Sequence, residues 1–188
     1  AAFGRRPLIF HSNAYEHWMW DDVVAPPRQV AGFFTRDELE LAIQRRMSAL
    51  PLADMAINPE IAGRYYQERA IRRICESFEV DRERRALVVM ATGAGKTRTV
   101  IALVDVLMRA GWVKRVLFLA DRTALVKQAA NAFKTHLPDV APVNLTTDRH
   151  TEGRVYVSTY PTMMNLIDEV DDQGRRRFGP GYFDLVVI

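Results

Sequence analysis

The chain has one cysteine in 188 residues, Cys75. A single thiol excludes an internal disulfide and fits a reducing compartment, so a cytoplasmic setting is expected. No apolar run approaches the roughly 18–20 residues needed to cross a membrane. The opening AAFGRRPLIF lacks the longer apolar segment of a signal peptide. There is no internal repeat and no low-complexity tract. Charge of one sign is also scarce: 26 basic against 23 acidic residues leave a formal net charge of +3. That balance permits a nucleic-acid partner without arguing for one.

What is present is a chain that is 48% hydrophobic, enough to bury a core, and 26% charged. Its length suits one domain or one domain with an appendage. The most informative stretch is ALVVMATGAGKTRTV, Ala86 to Val100. Ala86 to Met90 reads as a short buried strand, followed by a glycine-bearing loop and the first turn of a helix. Gly93 and Gly95 let the backbone curl, so that its N–H groups can face an anion. The helix starting near Lys96 aims the positive end of its dipole at the same place. Thr92, Gly93, Ala94, Gly95, Lys96 and Thr97 are therefore the candidate phosphate-binding residues. Lys96 supplies a mobile charge, and the Thr97 hydroxyl is a candidate Mg²⁺ ligand. The loop departs from the general G-x-x-x-x-G-K-[ST] pattern, because Met90 stands where the first glycine belongs.

In front of this loop, Pro7–Phe10 and Tyr15–Trp20 read as strands and Asp21–Arg28, with Pro26-Pro27, as a loop. Thr35-Arg36-Asp37-Glu38 is a capping box. Leu39, Ala42, Ile43 and Met47 form one apolar face of the helix that follows, and Pro51 ends it. Trp18 and Trp20 read as core or interface residues, with base stacking as the alternative. A helix from about Tyr66 to Glu79 places Cys75 on its apolar face, as a core residue. Behind the loop, the helix from Lys96 to Ala110 is apolar almost all round. RVLFLA (Arg115–Ala120), RVYVS (Arg154–Ser158) and FDLVVI (Phe183–Ile188) are buried strands, with helices between them. Alternating apolar strands and helices predict an α/β fold with a mainly parallel sheet and helices on both faces. Ligands in such sheets sit beyond the carboxyl ends of the strands.

The ordered set Arg64-Tyr65-Tyr66-Gln67, TGAGKT, FLADRTALVKQ, VSTYPTM and FDLVVI resembles the first motor lobe of superfamily-two helicases and translocases, over residues 64–188. MATGAGKTRT and LFLADRTALVKQ are most similar to the restriction (motor) subunit of type I restriction enzymes. The resemblance implies a RecA-like P-loop lobe at 58–188, preceded at 1–57 by a small α+β connector from an absent nuclease domain. It implies ATP and Mg²⁺ as cofactors, with Gln67 reading the adenine edge. It also implies that Arg122, Ser158, Thr159 and Tyr160 touch the backbone of a nucleic-acid strand, where such groups carry no sequence information. Double-stranded DNA and the modification and specificity subunits are the implied partners. Structural alternatives stay open. Gln67 can cap its helix, Ser158 and Thr159 can cap the next one, and Arg122 can pair with Asp121.

Hydrolysis needs carboxylates at the end of a buried strand. Asp168-Glu169 follows a segment expected to be helical and is rejected for that role. The family places its Asp-Glu pair just after the strand that ends at Ile188. Neither that pair, nor a second lobe, nor the Glu-x-Lys of a nuclease occurs here, so the chain is expected to be a fragment of a larger subunit.

Overall fold

The computed structural model describes residues 6–148, 151–170, 172, 174 and 176–188. Two sheets organise it. The first is antiparallel, in the order β1 (Ile9–Ser12), β2 (His17–Asp21), β3 (Ala25–Val30). The second is parallel, in the order β5 (Pro142–Asn144), β6 (Val155–Thr159), β4 (Val116–Ala120), β7 (Leu185–Val187). Helices α1 (Arg36–Ser48), α2 (Tyr65–Glu79), α3 (Lys96–Arg109), α4 (Thr123–His136) and α5 (Tyr160–Ile167) complete the fold.

The parallel sheet is covered on both faces, and strand alternation decides which residue goes where. Val116 and Phe118 of β4 and Val155 and Val157 of β6 face one cluster, built with α2, α3 and α4. Leu117 and Leu119, with Tyr156, face the other, which holds Met163 and Leu166 of α5 and Phe178. Phe133 of α4 is fully buried against Phe118, ring centroids 6.0 Å apart. Cys75 is buried in the first cluster, as expected.

Two expectations about the front segment change. Pro26 and Pro27 lie inside a strand, β3, not in a loop. They are tolerated because β3 is an edge strand of its sheet, and its pairing with β2 is irregular between Met19 and Asp21. Trp18 and Trp20 flank the buried Met19 on β2 and are 38% and 42% exposed, so neither is core. The capping box forms as read: Thr35 Oγ1 accepts from the Glu38 N–H at 3.3 Å, and Glu38 accepts from the Thr35 N–H at 2.8 Å. The α1 face expected to be apolar is shallow, with Met47 70% exposed.

Charge and backbone contacts join this front unit to the main core. Arg46 pairs with Asp21 at 2.8 Å, both side chains nearly buried. Arg45 pairs with Asp184, whose carboxylate also accepts from the Lys114 and Arg115 N–H groups at 2.7 and 2.8 Å. Leu52 is fully buried in the main core, with Met55 and Ile57 packed against it. The core therefore draws on chain ahead of residue 58.

The largest departure is Ala86–Met90, which forms no strand. Leu87 and Val89 are 91% and 87% exposed. Its β-branched composition fits a half-buried pleated surface, and among the described residues no strand lies alongside to supply one.

Candidate nucleotide site at the glycine loop

Gly93 and Gly95 both take positive φ, 78° and 86°, a region that costs other residues strain. Gly95 is needed for space as well, since a Cβ there would lie 2.5 Å from Gln67 Nε2. The loop tightens through the Ala94 N–H donating to Ala91 O at 3.2 Å, and α3 begins at once with Gly95 as its N-cap. Thr99, 3% exposed, holds that cap from inside the helix. Its N–H and Oγ1 both donate to Gly95 O, at 2.9 and 3.1 Å.

The groups proposed to meet an anion are uncommitted. Among the described residues, no protein acceptor takes the N–H of Gly93, Gly95, Lys96 or Thr97. A helix start without a side-chain cap leaves such donors orphaned. Lys96 is exposed, and among the described residues it has no ion-pair partner and the Thr97 hydroxyl has no hydrogen-bond partner. The cradle thus has the composition a polyphosphate requires: convergent amides, a helix tip and a free ammonium.

The carbonyl side of the loop is held from α2. Tyr66 Oη donates to Ala94 O at 3.1 Å, and Gln67 Nε2 donates to the same oxygen at 3.2 Å. Gln67 Oε1 accepts from the Arg64 N–H at 3.3 Å, which closes a capping box on α2. Gln67 is 4% exposed, so both ends of its amide are engaged with protein. Arg64 donates to Tyr66 Oη at 2.8 Å. The sequence singled out the box 64–67 but not Tyr66 as a loop brace. No periodicity or propensity could have found it, because its partner lies 28 residues away. A cleft of about 330 Å³ opens beside the loop, lined by Pro59, Gly63, Arg64, Gln67, Gly93, Gly95 and Arg98. Arg98 donates to the Glu60 carbonyl, which fastens one wall.

The second group of residues lies at the carboxyl ends of β4 and β6. Pairing of Leu119 with Ser158 and of Ala120 with Thr159 brings Asp121-Arg122 and Thr159-Tyr160 to one rim. Arg122 is 80% exposed and 3.5 Å from Asp121, an exposed pair that contributes little. Tyr160 is 40% exposed. Ser158 is fully buried and donates to Thr159 O at 3.1 Å. Thr159 is the N-cap of α5, accepting from the Thr162 N–H at 3.3 Å. The two hydroxyls shape the turn, and the arginine and tyrosine reach solvent. Asp168 follows α5 as its C-cap, so the helical reading that removed Asp168-Glu169 from candidacy holds. Among the described residues, no cluster of His, Cys, Asp or Glu is arranged to hold a metal ion.

The type I restriction enzyme EcoAI endonuclease subunit of Escherichia coli is 35% identical over 130 residues, covering 66% of this chain and 15% of that protein. The EcoKI endonuclease subunit of Escherichia coli strain K12 is 47% identical over 75 residues, covering 40% of this chain and 6% of that one. The chain therefore spans only a small part of the length of these relatives. A family model described as "Type III restriction enzyme, res subunit" matches residues 60–188, which include the glycine loop, its α2 brace and the whole parallel sheet. A match over that much of the chain places it in this family, with a RecA-like, helicase-type lobe.

Proposed function

We propose that residues 58–188 are the nucleotide-binding lobe of a DNA-translocating motor in a type I restriction enzyme, with 1–57 as the connector from its nuclease domain. The observation that carries this reading is the set of uncommitted N–H groups of Gly93, Gly95, Lys96 and Thr97 beside the unpaired Lys96 ammonium. Thr92 to Thr97 would hold the phosphates of ATP, Lys96 would neutralise the β/γ charge, and the Thr97 hydroxyl would reach Mg²⁺. Bound Mg²⁺ would offset the charge of the phosphates. Gln67 would first have to release Ala94 O to read adenine, and until then it holds the loop in shape.

Arg122 and Tyr160 would contact the backbone of duplex DNA, over a turn that Ser158 and Thr159 keep rigid. Such contacts position a strand and read no sequence. Site recognition then belongs to other subunits, with a modification and a specificity subunit as partners. A cytoplasmic setting is part of the same proposal; no helix among the described residues is long and apolar enough to cross a membrane.

The test is thermal unfolding with and without ATP and Mg²⁺. The parent should be stabilised, and Lys96→Ala should lose that response, because a charge-assisted contact to phosphate is worth about 1.5–3 kcal/mol. An unchanged response in the variant sinks the site assignment. These 188 residues should hydrolyse ATP negligibly by themselves.

A further inference from the structure

A second cleft, wider than the one at the glycine loop, lies elsewhere in the molecule. It lies between β2 and β3, helix α1 and the turn that leaves α2, and encloses about 420 Å³. Its charges divide unevenly. Asp21 is engaged by Arg46, Asp184 by Arg45, and Glu79 accepts from the Leu52 and Ala53 N–H groups. Arg28, Arg82 and Arg84 line the same cleft and form no ion pair among the described residues. Asp21, though held by Arg46, still acts on Arg84, and Glu83 also lines the cleft.

Arg28 is the unusual member. Its Nε is buried with no hydrogen-bond partner. Burial, and then the neighbouring charge of Arg84, push its pKa down to about 10, so it remains a cation at neutral pH. Its guanidinium lies 5.7 Å from the Phe34 ring centroid. A desolvated guanidinium beside a second cation, where the acid acting on that second cation, Asp21, is already held by Arg46, is an arrangement that a ligand would relieve. Met19, Phe78 and Trp112 give the cleft an apolar side as well.

We propose that this cleft is an anion site for a small phosphate monoester, separate from the glycine loop. A carboxylate would neutralise one guanidinium, whereas a phosphate dianion matches both, and the planar guanidinium fork suits phosphate oxygens. Arg28 belongs to the front sheet, and Arg84 to the stretch that runs into the loop at Thr92. A dianion bound by both would fasten the front sheet to the chain entering the nucleotide site.

The probe is inorganic phosphate, titrated against the 188-residue chain by calorimetry and thermal unfolding. Lys96→Ala serves as the background that silences the loop. Phosphate should still bind and stabilise this variant. Adding Arg84→Gln, a change at an exposed position, should weaken phosphate roughly tenfold, the factor for one lost charge-assisted hydrogen bond. Arg28→Met should abolish the phosphate response yet melt no lower than the parent in phosphate-free buffer, because it removes an unpaired buried cation. The proposal is overturned if Lys96→Ala alone removes all phosphate binding, or if Arg84→Gln leaves the affinity unchanged. Loss of the ATP response in Lys96→Ala with phosphate binding intact would support both sites independently.

Discussion

Val155-Tyr156-Val157 and Leu87-Val88-Val89 are nearly the same peptide in composition, and the fold treats them oppositely. The first three residues are fully buried at the centre of a parallel sheet, between β4 and β5. The second lie in open chain, with Leu87 91% exposed. The difference lies in the neighbours. Val157 has Phe118 across one ladder and Asn144 across the other, and its side chain meets the α2–α4 layer. Leu87 has no ladder at all. A strand tendency is realised only where a second strand and a covering helix are in reach.

That contrast can be broken by two truncations of similar kind. Phe133→Ala empties the centre of the first cluster and should cost about 3–5 kcal/mol. Leu87→Ala should stay within about 0.5 kcal/mol, because it removes a side chain that touches solvent. Urea unfolding of both variants decides the matter. A Leu87→Ala loss close to that of Phe133→Ala would mean that the stretch is buried in solution.

The same contrast explains what was legible in the sequence. The parallel sheet, the capping box at Thr35 and the helices α2 to α5 were readable because periodicity and capping are local signals. The loop was readable because positive-φ positions at 93 and 95 demand glycine. The fate of Ala86–Met90 was not, since it depends on a neighbour far along the chain. Nor was the grip of Tyr66 and Gln67 on Ala94 O, or the burial of Ser158: each is fixed by tertiary packing. Pro26-Pro27 misled for a related reason. Proline forbids a central strand, and only the sheet order reveals that β3 is an edge.

A second comparison sets the front unit against the main core. Asp184, with its side chain 4% exposed, is the joint between them, holding Arg45 and two N–H groups at the start of β4. Asp184→Asn should cost about 2 kcal/mol, the range of one charged hydrogen-bond contact. Limited proteolysis should then cut first in α1. Cleavage sites identical to the parent's would show that the apolar contacts alone hold the front unit in place.

Within the loop, the two glycines provide a finer comparison. Both sit at positive φ, so alanine at either costs about 1–2 kcal/mol. Only Gly95→Ala also drives a methyl against Gln67 Nε2, whereas Gly93 has open space around its missing Cβ. Gly95→Ala should therefore lose more stability and disturb the Tyr66–Gln67 brace, and Gly93→Ala should lose the strain alone. Equal losses would mean that Gln67 swings aside freely.

The last comparison separates the two sheet faces by pH. On the α5 side, the Tyr182 hydroxyl is pushed above its ordinary value, mainly by burial and then by its 2.7 Å hydrogen bond to Tyr156. The Arg115 guanidinium, 4.3 Å from the Tyr182 ring centroid, opposes this only in part. A phenol that holds its proton more tightly when folded stabilises the fold fully below the unfolded value of about 10, and loses that contribution as pH rises past it. At pH 11 the loss is at most about 1.4 kcal/mol, one unit of titration in the unfolded chain. Arg28 acts with the opposite sign, since its folded value of about 10 lies below the unfolded one, so discharge above pH 10 favours the fold. Tyr182→Phe removes the first effect and leaves the second. Urea midpoints at pH 9 and pH 11 should therefore fall less for the variant than for the parent. Equal falls would assign alkaline sensitivity to Cys75, whose thiol burial also raises, on the opposite face of the sheet.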